Sequence, residues 1–444
     1  MRQESNGPLS RIIRVVTKIE ANELRAVAFS FLFVFTLMAA YFVVRPLRDA
    51  LARDWSRTET SFLWTLTFIV SVIGVMLYGF LISRVRFSRV VPGVYLFFAT
   101  TFVLFYAGSN LVPDPTLIDK TFYVWLSVFS LFHVSVFWSF MSGLYNREQA
   151  RRLFAVIATG ASIGAIVGPV IPGFFADSIG VMNLLLITAA MQLVPVVLIP
   201  GLERLKVTDL NNAGCEADLS EAKRLARNPF SGFVAFVRNP YLLGIGLFIL
   251  MYVTMSTFVY MELREMLAVF DRAERTEINA RIDLAVNALA IVTALLLTGR
   301  IASRFGVATL LAAIPIMMVA GWLIVAAIPL LAVIIGLQIA RRAGNYAVTK
   351  PGREMLFTVV SDDERYKAKP VIDICVYRGG DMVTAWFHTG LKEVLAFGPT
   401  GIALVASVIA GIWALSGIYL GRYYNRSGSP GESGARVEAA MEEA

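Results

Sequence analysis

Twelve apolar stretches recur along this chain and decide what it can fold into. A helix of about 20 apolar residues spans the hydrocarbon core of a bilayer. Apolar residues make up 57% of the 444 residues and charged residues 16%, whereas soluble domains have about 45–50% and 25%. Because backbone polar groups must be paired inside hydrocarbon, each stretch is predicted to be an α-helix. The stretches lie at residues 26–50, 61–83, 90–109, 121–144, 153–175, 181–200, 241–266, 282–299, 307–326, 329–348, 371–390 and 400–420.

A polar segment divides these stretches into two groups of six. We therefore predict an all-α membrane protein with twelve transmembrane helices in two six-helix halves. The first stretch is followed by Arg45-Pro-Leu-Arg48 and by no small-residue cleavage site, so it is interpreted as a retained helix. The last residues are rich in Ser, Gly, Glu and Ala, which predicts disorder. The predicted parts are a cytoplasmic N-terminal segment at 1–24, the first half at 25–201, a cytoplasmic linker at 202–240, the second half at 241–424 and a disordered tail at 425–444.

The basic residues indicate the orientation of the chain. The net charge is +8, but Lys and Arg lie mainly between the apolar stretches, so we attribute them to membrane topology rather than to nucleic-acid binding. With a cytoplasmic N-terminus, 29 Lys and Arg fall on the inner side and 10 on the outer side. This excess predicts that both termini are cytoplasmic.

A short motif repeats at matching places in the two halves. Gly79 is followed by Ser83-Arg84 after the second stretch, and Gly299 by Ser303-Arg304 after the eighth. The pattern Gly-x-x-x-Ser-Arg resembles the loop motif of the major facilitator superfamily, with Ser in place of the usual acid. Such repeats are typical of transporters built from two related halves around a central cavity.

A stripe of small residues lies in the fifth stretch, where Gly160, Gly164 and Gly168 are four residues apart. This spacing predicts a close contact with a neighbouring helix. Packing alone explains the stripe, and a role in gating is the alternative.

Several classes of site are absent from the sequence. The only histidines are His133 and His388, and the only cysteines are Cys215 and Cys375, so neither a His-rich metal site nor a disulfide framework is expected. No Gly-Lys dipeptide or HExxH motif occurs, which argues against a phosphate-binding loop and a zinc protease. We predict that the protein is not an enzyme and has no cofactor.

The first charged group within a stretch ends the first predicted helix. Tyr41, Arg45, Arg48 and Asp49 share one helix face. Two guanidinium groups one turn apart suit a bidentate grip on phosphate or carboxylate. The alternative is that these side chains snorkel to the outer interface, with Arg48 and Asp49 solvated.

The second charged group lies in and just before the eleventh stretch. Lys369 and Asp373 are four residues apart, and Arg378 and Asp381 are three apart, so each pair can form an ion pair on a helix. Tyr377 continues the stripe. We interpret the group as cavity-lining, because buried charges in a bilayer usually face a partner or a wet cavity. The alternative is a set of salt bridges within the bundle, with Lys369 at the cytoplasmic edge.

Two further charged groups have simpler explanations by spacing alone. Glu262 ends the seventh stretch and begins a run of charges typical of an outer loop. A basic band begins with Arg341 and Arg342 near the end of the tenth stretch and continues toward the eleventh, and the positive-inside rule accounts for it as a cytoplasmic segment.

Three groups of residues resemble the ATP/ADP translocase family of nucleotide exchange transporters, known from plastids and bacteria. The third group is the most specific, because its order and its spacing both match. In the first group, Arg48 stands where the family has Lys, and Pro46 lies beside it. The groups are Tyr41-Phe-Val-Val-Arg45-Pro-Leu-Arg48-Asp49; Phe137-Trp138-Ser139 with Asn146, Ala150-Arg-Arg-Leu-Phe154 and Gly160-Ala-Ser-Ile-Gly164; and Arg353-Glu354-Met355 with Tyr366-Lys-Ala-Lys369 and Ile372-Asp373.

The resemblance implies a facilitator-type fold and nucleotide exchange without hydrolysis. It assigns transport-essential charges to Arg48, Glu262 and Lys369. It also implies a bacterial cytoplasmic (inner) membrane as the location, with the bilayer and a small anionic solute as partners and a monomer as the assembly.

Three functions remain open on the sequence. The first is an alternating-access carrier that exchanges a phosphorylated anion such as a nucleotide. The second is a proton-coupled symporter of another organic solute, with Asp373, Asp381 or Glu262 carrying the proton. The third is a sensor that kept the fold without transport, because a fold does not fix a function.

Overall fold

The computed structural model describes residues 19–84, 87–212, 231–293, 299–357, 360 and 371–427. Within these residues all regular secondary structure is helical, which confirms the predicted all-α class. The α-helices before residue 230 are α1 (Leu24–Leu51), α2 (Arg57–Arg84), α3 (Phe87–Leu111), α4 (Thr116–Leu144), α5 (Arg147–Val167), α6 (Val170–Ile179) and α7 (Asn183–Thr208). Those that follow are α8 (Ser231–Arg238), α9 (Pro240–Met266), α10 (Arg272–Thr293), α11 (Gly299–Ala327), α12 (Leu331–Gly344), α13 (Lys350–Leu356), α14 (Tyr377–Glu393) and α15 (Pro399–Ser427).

Within the described residues, helices lie over at least part of each of the twelve predicted stretches. In the described part of the chain, eight helices are long and apolar enough to cross a membrane. The fifth stretch corresponds to α5 and α6 together, which meet at Pro169. The eighth stretch corresponds to α10, whose first turns are charged, and the eleventh to α14, which has only 17 residues.

Several helix ends differ from the sequence prediction. The tenth stretch continues from α12 through a π-helical turn, Asn345–Thr349, directly into α13. At the C-terminal end, α15 runs to Ser427, so residues 425–427 are helical rather than part of a disordered tail. Hydropathy falls where a helix leaves the apolar core, whereas the backbone hydrogen bonding continues, so a hydropathy pattern underestimates helix length. The remaining tail, 428–444, and the central part of the linker, 213–230, lie outside the described residues.

Local capping fixes where two of the helices begin. The Asn146 side chain accepts a hydrogen bond from the Gln149 N–H, and the Gln149 side chain accepts one from the Asn146 N–H, which forms a capping box for α5. The Asn239 side chain accepts from the N–H groups of Tyr241 and Leu242 at the start of α9, where Pro240 has no N–H to satisfy.

Contacts divide the chain into two compact units. Unit 1 comprises Met1–Ala52, Val70–Arg227 and Phe270–Leu284, and unit 2 comprises Arg53–Ile69, Asn228–Val269 and Ala285–Ala444. The first part of α2 therefore belongs to unit 2, and the first part of α10 belongs to unit 1. The predicted division into two sequence halves stays a prediction.

The core of unit 1 is aromatic, and α1 lies at its centre. The Phe33 ring packs edge-on against those of Tyr95 and Phe137, with centroids 5.3 and 5.0 Å apart. On another face of α1, the backbone approaches α5 at the glycine stripe. A Cβ on Gly160 would lie 2.7 Å from the Phe31 carbonyl oxygen, and one on Gly168 would lie 2.5 Å from that of Ala39. The predicted close helix contact is thus confirmed.

The core of unit 2 brings α15 against α9 and α11. The Trp413 ring of α15 is fully buried and lies 5.7 Å from Phe248 and 5.9 Å from Tyr252 of α9. A Cβ on Gly417 would lie 3.0 Å from the Leu311 carbonyl oxygen of α11, so this contact also depends on a residue without a side chain.

Candidate functional site

In unit 1, the predicted cationic pair on α1 is held by two carboxylates. Arg45 Nη1 donates to Asp283 Oδ1 of α10 at 3.1 Å, and Arg45 Nε lies 3.9 Å from Asp49 Oδ2. Arg48 Nη2 donates to Asp49 Oδ1 at 2.6 Å, and its Nη1 donates to Ser127 Oγ at 3.4 Å. The structure brings three of the predicted residues together and adds a fourth charge, Asp283.

These side chains are enclosed by protein rather than solvated. The side chain of Arg48 is 15% exposed and that of Asp49 is 11% exposed. The guanidinium of Arg48 lies 5.5 Å from the centroid of the Tyr123 ring. The alternative of a solvated Arg48–Asp49 pair at the outer interface therefore does not describe this site.

Tyr41, the aromatic member of the group, lies against His133 of α4. The centroids of these two rings are 5.1 Å apart, and the Phe129 ring stacks on that of His133 at 4.7 Å. Within the described residues His133 Nε2 is buried without a hydrogen-bond partner, and its Nδ1 lies 3.1 Å from the Phe129 carbonyl oxygen. Tyr41 thus lies one helical turn from Arg45, beside a second polar ring.

Asp283 was not predicted as a member of the site, although the sequence held a signal for it. It is an acid inside the eighth apolar stretch, and such a residue in a span needs a partner. What the sequence could not supply was the identity of that partner, because Arg45 and Asp283 are 238 positions apart.

In unit 2, Glu262 is at the centre of a buried ion cluster. Its Oε1 accepts from Lys392 Nζ at 2.8 Å and lies 3.0 Å from His388 Nε2, both on α14. Lys392 Nζ also donates to Glu265 Oε2 at 3.0 Å, and Glu265 Oε1 accepts from Arg57 Nε at 2.5 Å. Glu262 is 4% exposed, so the spacing-based interpretation as a solvated outer loop is wrong for this residue.

Arg264, which follows Glu262 by two residues in the same run of charges, is also buried rather than solvated. It is 4% exposed, and its guanidinium donates to the backbone carbonyl of Trp55. Sequence spacing missed this cluster because its members come from three separate helices, α2, α9 and α14. The signal that was available is His388, one of only two histidines, in the eleventh apolar stretch.

The predicted stripe on the eleventh stretch is described only in part. Arg378 Nη1 lies 3.7 Å from Asp381 Oδ2, so the predicted pair is present. The Tyr377 ring lies 6.1 Å from Tyr252 of α9. Asp373 lies on the π-helical turn Val371–Val376, and Lys369 falls outside the described residues, so their ion pair stays a prediction.

The start of the predicted cytoplasmic basic band is instead part of the helical core of unit 2. Arg341 and Arg342 lie on α12 and are 2% and 5% exposed. The positive-inside rule located these arginines in a loop because it counts charges without regard to burial. The continuation of α12 into the π-helical turn removes that loop.

Metal binding finds no support in the described part of the chain. No group of three or more His, Cys, Asp and Glu side chains is close enough there to hold a metal ion. The described sites offer guanidinium, ammonium, imidazole and carboxylate groups, which form ion pairs and hydrogen bonds.

Comparison with known proteins supports a transporter architecture. The model of the Major Facilitator Superfamily matches residues 27–349. The crystal structure of a bacterial homolog of the human lysosomal transporter Spinster, inward-facing and unoccupied, is similar with a TM-score of 0.56 and 12% identity over 91% of this chain and 99% of that one. The crystal structure of a mutant of the nucleoside transporter NupG is similar with a TM-score of 0.56 and 14% identity over 92% of this chain and 100% of that one. No curated protein sequence matches this chain.

Proposed function

This chain belongs to the Major Facilitator Superfamily, and from that premise we propose that it is a secondary carrier that exchanges phosphorylated anions, nucleotides of the ATP/ADP type first among them. Membership makes it a membrane transporter of a small solute rather than an enzyme. The identification of the solute as a nucleotide is the more specific part of the proposal. It is supported by the resemblance of the residues around Arg48 and Lys369 to the ATP/ADP translocase family.

The observation that carries the proposal is the arrangement on α1. Arg45 and Arg48 are one turn apart, mostly buried, and each is held by a carboxylate, Asp283 and Asp49. Phosphate competes well for guanidinium, because two parallel N–H groups match two of its oxygens. When no solute is bound, the two carboxylates balance the charges of the two arginines. An incoming phosphate group can therefore take the place of a carboxylate as the partner of an arginine.

Because the arginines are mostly buried, such an exchange of partners should select anionic solutes over neutral ones. A charge enclosed by protein must remain paired, because an unpaired buried ion is strongly destabilising. A neutral solute offers no replacement for the displaced carboxylate, whereas a phosphate does. The nucleoside transporter NupG shares the fold, so a solute with a nucleoside part is compatible with this architecture.

Exchange in proteoliposomes tests the proposal directly. Vesicles that contain the purified chain and unlabelled ADP should take up labelled ATP, and vesicles without internal nucleotide should not. Arg48→Gln should lower the exchange rate at least tenfold, because about 1.4 kcal/mol of lost binding already corresponds to a factor of ten. Arg48→Lys, which restores the family residue, should retain more activity.

Arg422→Gln is the matched control, because Arg422 is an exposed arginine near the end of α15. Its exchange rate should equal that of the wild type. Uptake by preloaded vesicles no faster than by empty ones, for ATP and ADP alike, would refute nucleotide exchange.

A second function is favoured by the cluster around Glu262. Glu262 is a buried acid with two basic partners, His388 and Lys392, and acids inside membrane spans often serve as proton relays, which a proton-coupled symporter requires. The distinguishing result is solute uptake that needs no internal substrate and stops when the pH gradient is dissipated. Ligand-induced thermal stabilisation without any flux would instead indicate a sensor.

A further inference from the structure

Arg341 lies deep within α12. It follows the first residue of that helix, Leu331, by ten positions, which corresponds to about 15 Å along the axis. The hydrocarbon core of a bilayer is about 30 Å thick, so Arg341 is near its middle if α12 spans it. A cation at that depth is expensive and usually marks a solute or ion pathway.

The guanidinium has few polar contacts for a group so well enclosed. Its Nη2 donates to Gln338 Oε1 at 2.7 Å. Within the described residues its Nε and Nη1 are buried and have no hydrogen-bond partner. Two of its three nitrogens thus lack an acceptor there.

Among the described residues, aromatic rings lie beside this cation. Its central carbon lies 5.8 Å from the ring centroid of Tyr252. Tyr377 packs against Tyr252, with ring centroids 6.1 Å apart. None of these groups carries the negative charge that a buried arginine needs.

Two other polar groups of unit 2 are also unmatched. Within the described residues, the indole N–H of Trp413, whose ring contacts Tyr252, is buried without a partner, and so is the hydroxyl of Thr349. Thr349 ends the π-helical turn that follows Arg341, and single π-helical turns are frequent at functional sites. The indole N–H, like Arg341 Nε and Nη1, is a donor that lacks an acceptor among the described residues.

We propose that Arg341 is a substrate-binding residue, which receives the phosphate or another anionic group of the transported solute with Tyr252 and Tyr377 beside it. The inference deepens the proposed function and rests on it, because it assumes that the solute is an anion. It locates a binding contact in unit 2, on a residue that the motifs of the sequence do not mark. In the conformation described here the guanidinium is enclosed, so the site is loaded when the carrier opens, as alternating access provides.

The first measurement is the stability of the empty protein. An arginine that stabilises the fold through its own contacts would, when replaced, lower the melting temperature. Arg341→Gln removes a buried cation with two unmatched donors, so the melting temperature of the ligand-free variant should equal or exceed that of the wild type. A clear fall in melting temperature would overturn the proposal in favour of a structural role.

The second measurement is binding to the purified full-length chain in a neutral detergent, with ATP, ADP and inorganic tripolyphosphate as probes. Arg341→Gln should weaken binding at least tenfold, Arg341→Lys should lie between that variant and the wild type, and Arg422→Gln should bind as the wild type does. Equal affinity of Arg341→Gln and wild type for every probe would overturn the proposal, as would a wild type that binds none of them.

The outcomes separate this inference from the proposed function. If tripolyphosphate binding depends on Arg341 but no nucleotide is exchanged in vesicles, the anion site stands and the nucleotide assignment fails. If Arg341→Gln exchanges nucleotides at the wild-type rate, the carrier function stands and the role of Arg341 fails.

Discussion

At the scale of the residue, the charged side chains are the informative ones, and Glu262 shows why. Its carboxylate is enclosed by two partners on α14, Lys392 and His388. Removing one member of a buried ion pair leaves the other charge uncompensated, which is more costly than the pair itself is stabilising. Glu262 therefore holds the C-terminal ends of α9 and α14 together, in addition to any part in transport.

We expect Glu262→Gln to destabilise the fold by about 3 kcal/mol. Lys392 keeps Glu265 at 3.0 Å, so the loss should lie at the lower end of the range for broken buried pairs. The measurement is the thermal or denaturant unfolding of the purified protein.

Glu148→Gln is the control for this prediction, because Glu148 is an exposed carboxylate in the first turn of α5. Substitutions at such surface positions usually change stability by less than about 0.5 kcal/mol. Equal stability of the Glu262 and Glu148 variants would contradict a structural contribution from the ion cluster.

At the scale of the element, the contact between α1 and α5 depends on residues without a side chain. The stripe Gly160, Gly164 and Gly168 lets the two backbones approach, and a Cβ at Gly164 would collide with the Phe35 carbonyl and lie 3.0 Å from the Ala39 N atom. Backbone atoms cannot rotate out of the way as a side chain can. A substitution here must therefore move one helix relative to the other.

Gly164→Ala is expected to destabilise unit 1 by about 1–3 kcal/mol, the usual cost of an oversized residue at a packed position. Gly411→Ala is the matched control, because it is also within a helix, α15, and nothing lies within 4 Å of the Cβ it would add. The control should be neutral or slightly stabilising, since Ala is the better helix former by about 1 kcal/mol. The measurement is the thermal unfolding of both variants. A Gly164→Ala protein as stable as the control would show that α1 and α5 can move apart without loss of stability.

At the scale of the whole molecule, the orientation in the membrane is the property that the sequence predicts and that awaits a direct test. The excess of 29 Lys and Arg over 10 was counted with Arg341 and Arg342 in a cytoplasmic segment. Their burial in α12 removes two charges from the inner side and leaves 27 against 10, obtained by subtracting those two from 29. The bias survives, so both termini are still expected in the cytoplasm.

Cysteine labelling in intact cells should reveal this orientation. With Cys375→Ser, the native Cys215 in the linker should react with a membrane-impermeant maleimide only after the cells are permeabilised. With both native cysteines replaced by Ser, Asp114→Cys, in the exposed turn between α3 and α4, should react in intact cells. Labelling of Cys215 in intact cells would reverse the predicted topology.

The helices and the glycine contact could be predicted from sequence pattern alone. Both are local properties: the length of an apolar run determines whether it can span hydrocarbon, and the four-residue spacing of Gly160, Gly164 and Gly168 aligns them on one helix face. The pair Arg378–Asp381 was also predictable, because its members are one helical turn apart.

The pairing of the other charges depends on how the helices pack, which no sequence pattern records. Asp283 as the partner of Arg45, Lys392 as that of Glu262, and the burial of Arg341 all depend on which helices pack side by side. Their partners come from helices far apart in the chain, and a helix pattern records which face a residue occupies but not which element lies opposite. A charge within a span was thus recognisable from the sequence, whereas its counter-charge, or the lack of one among the described residues, was not.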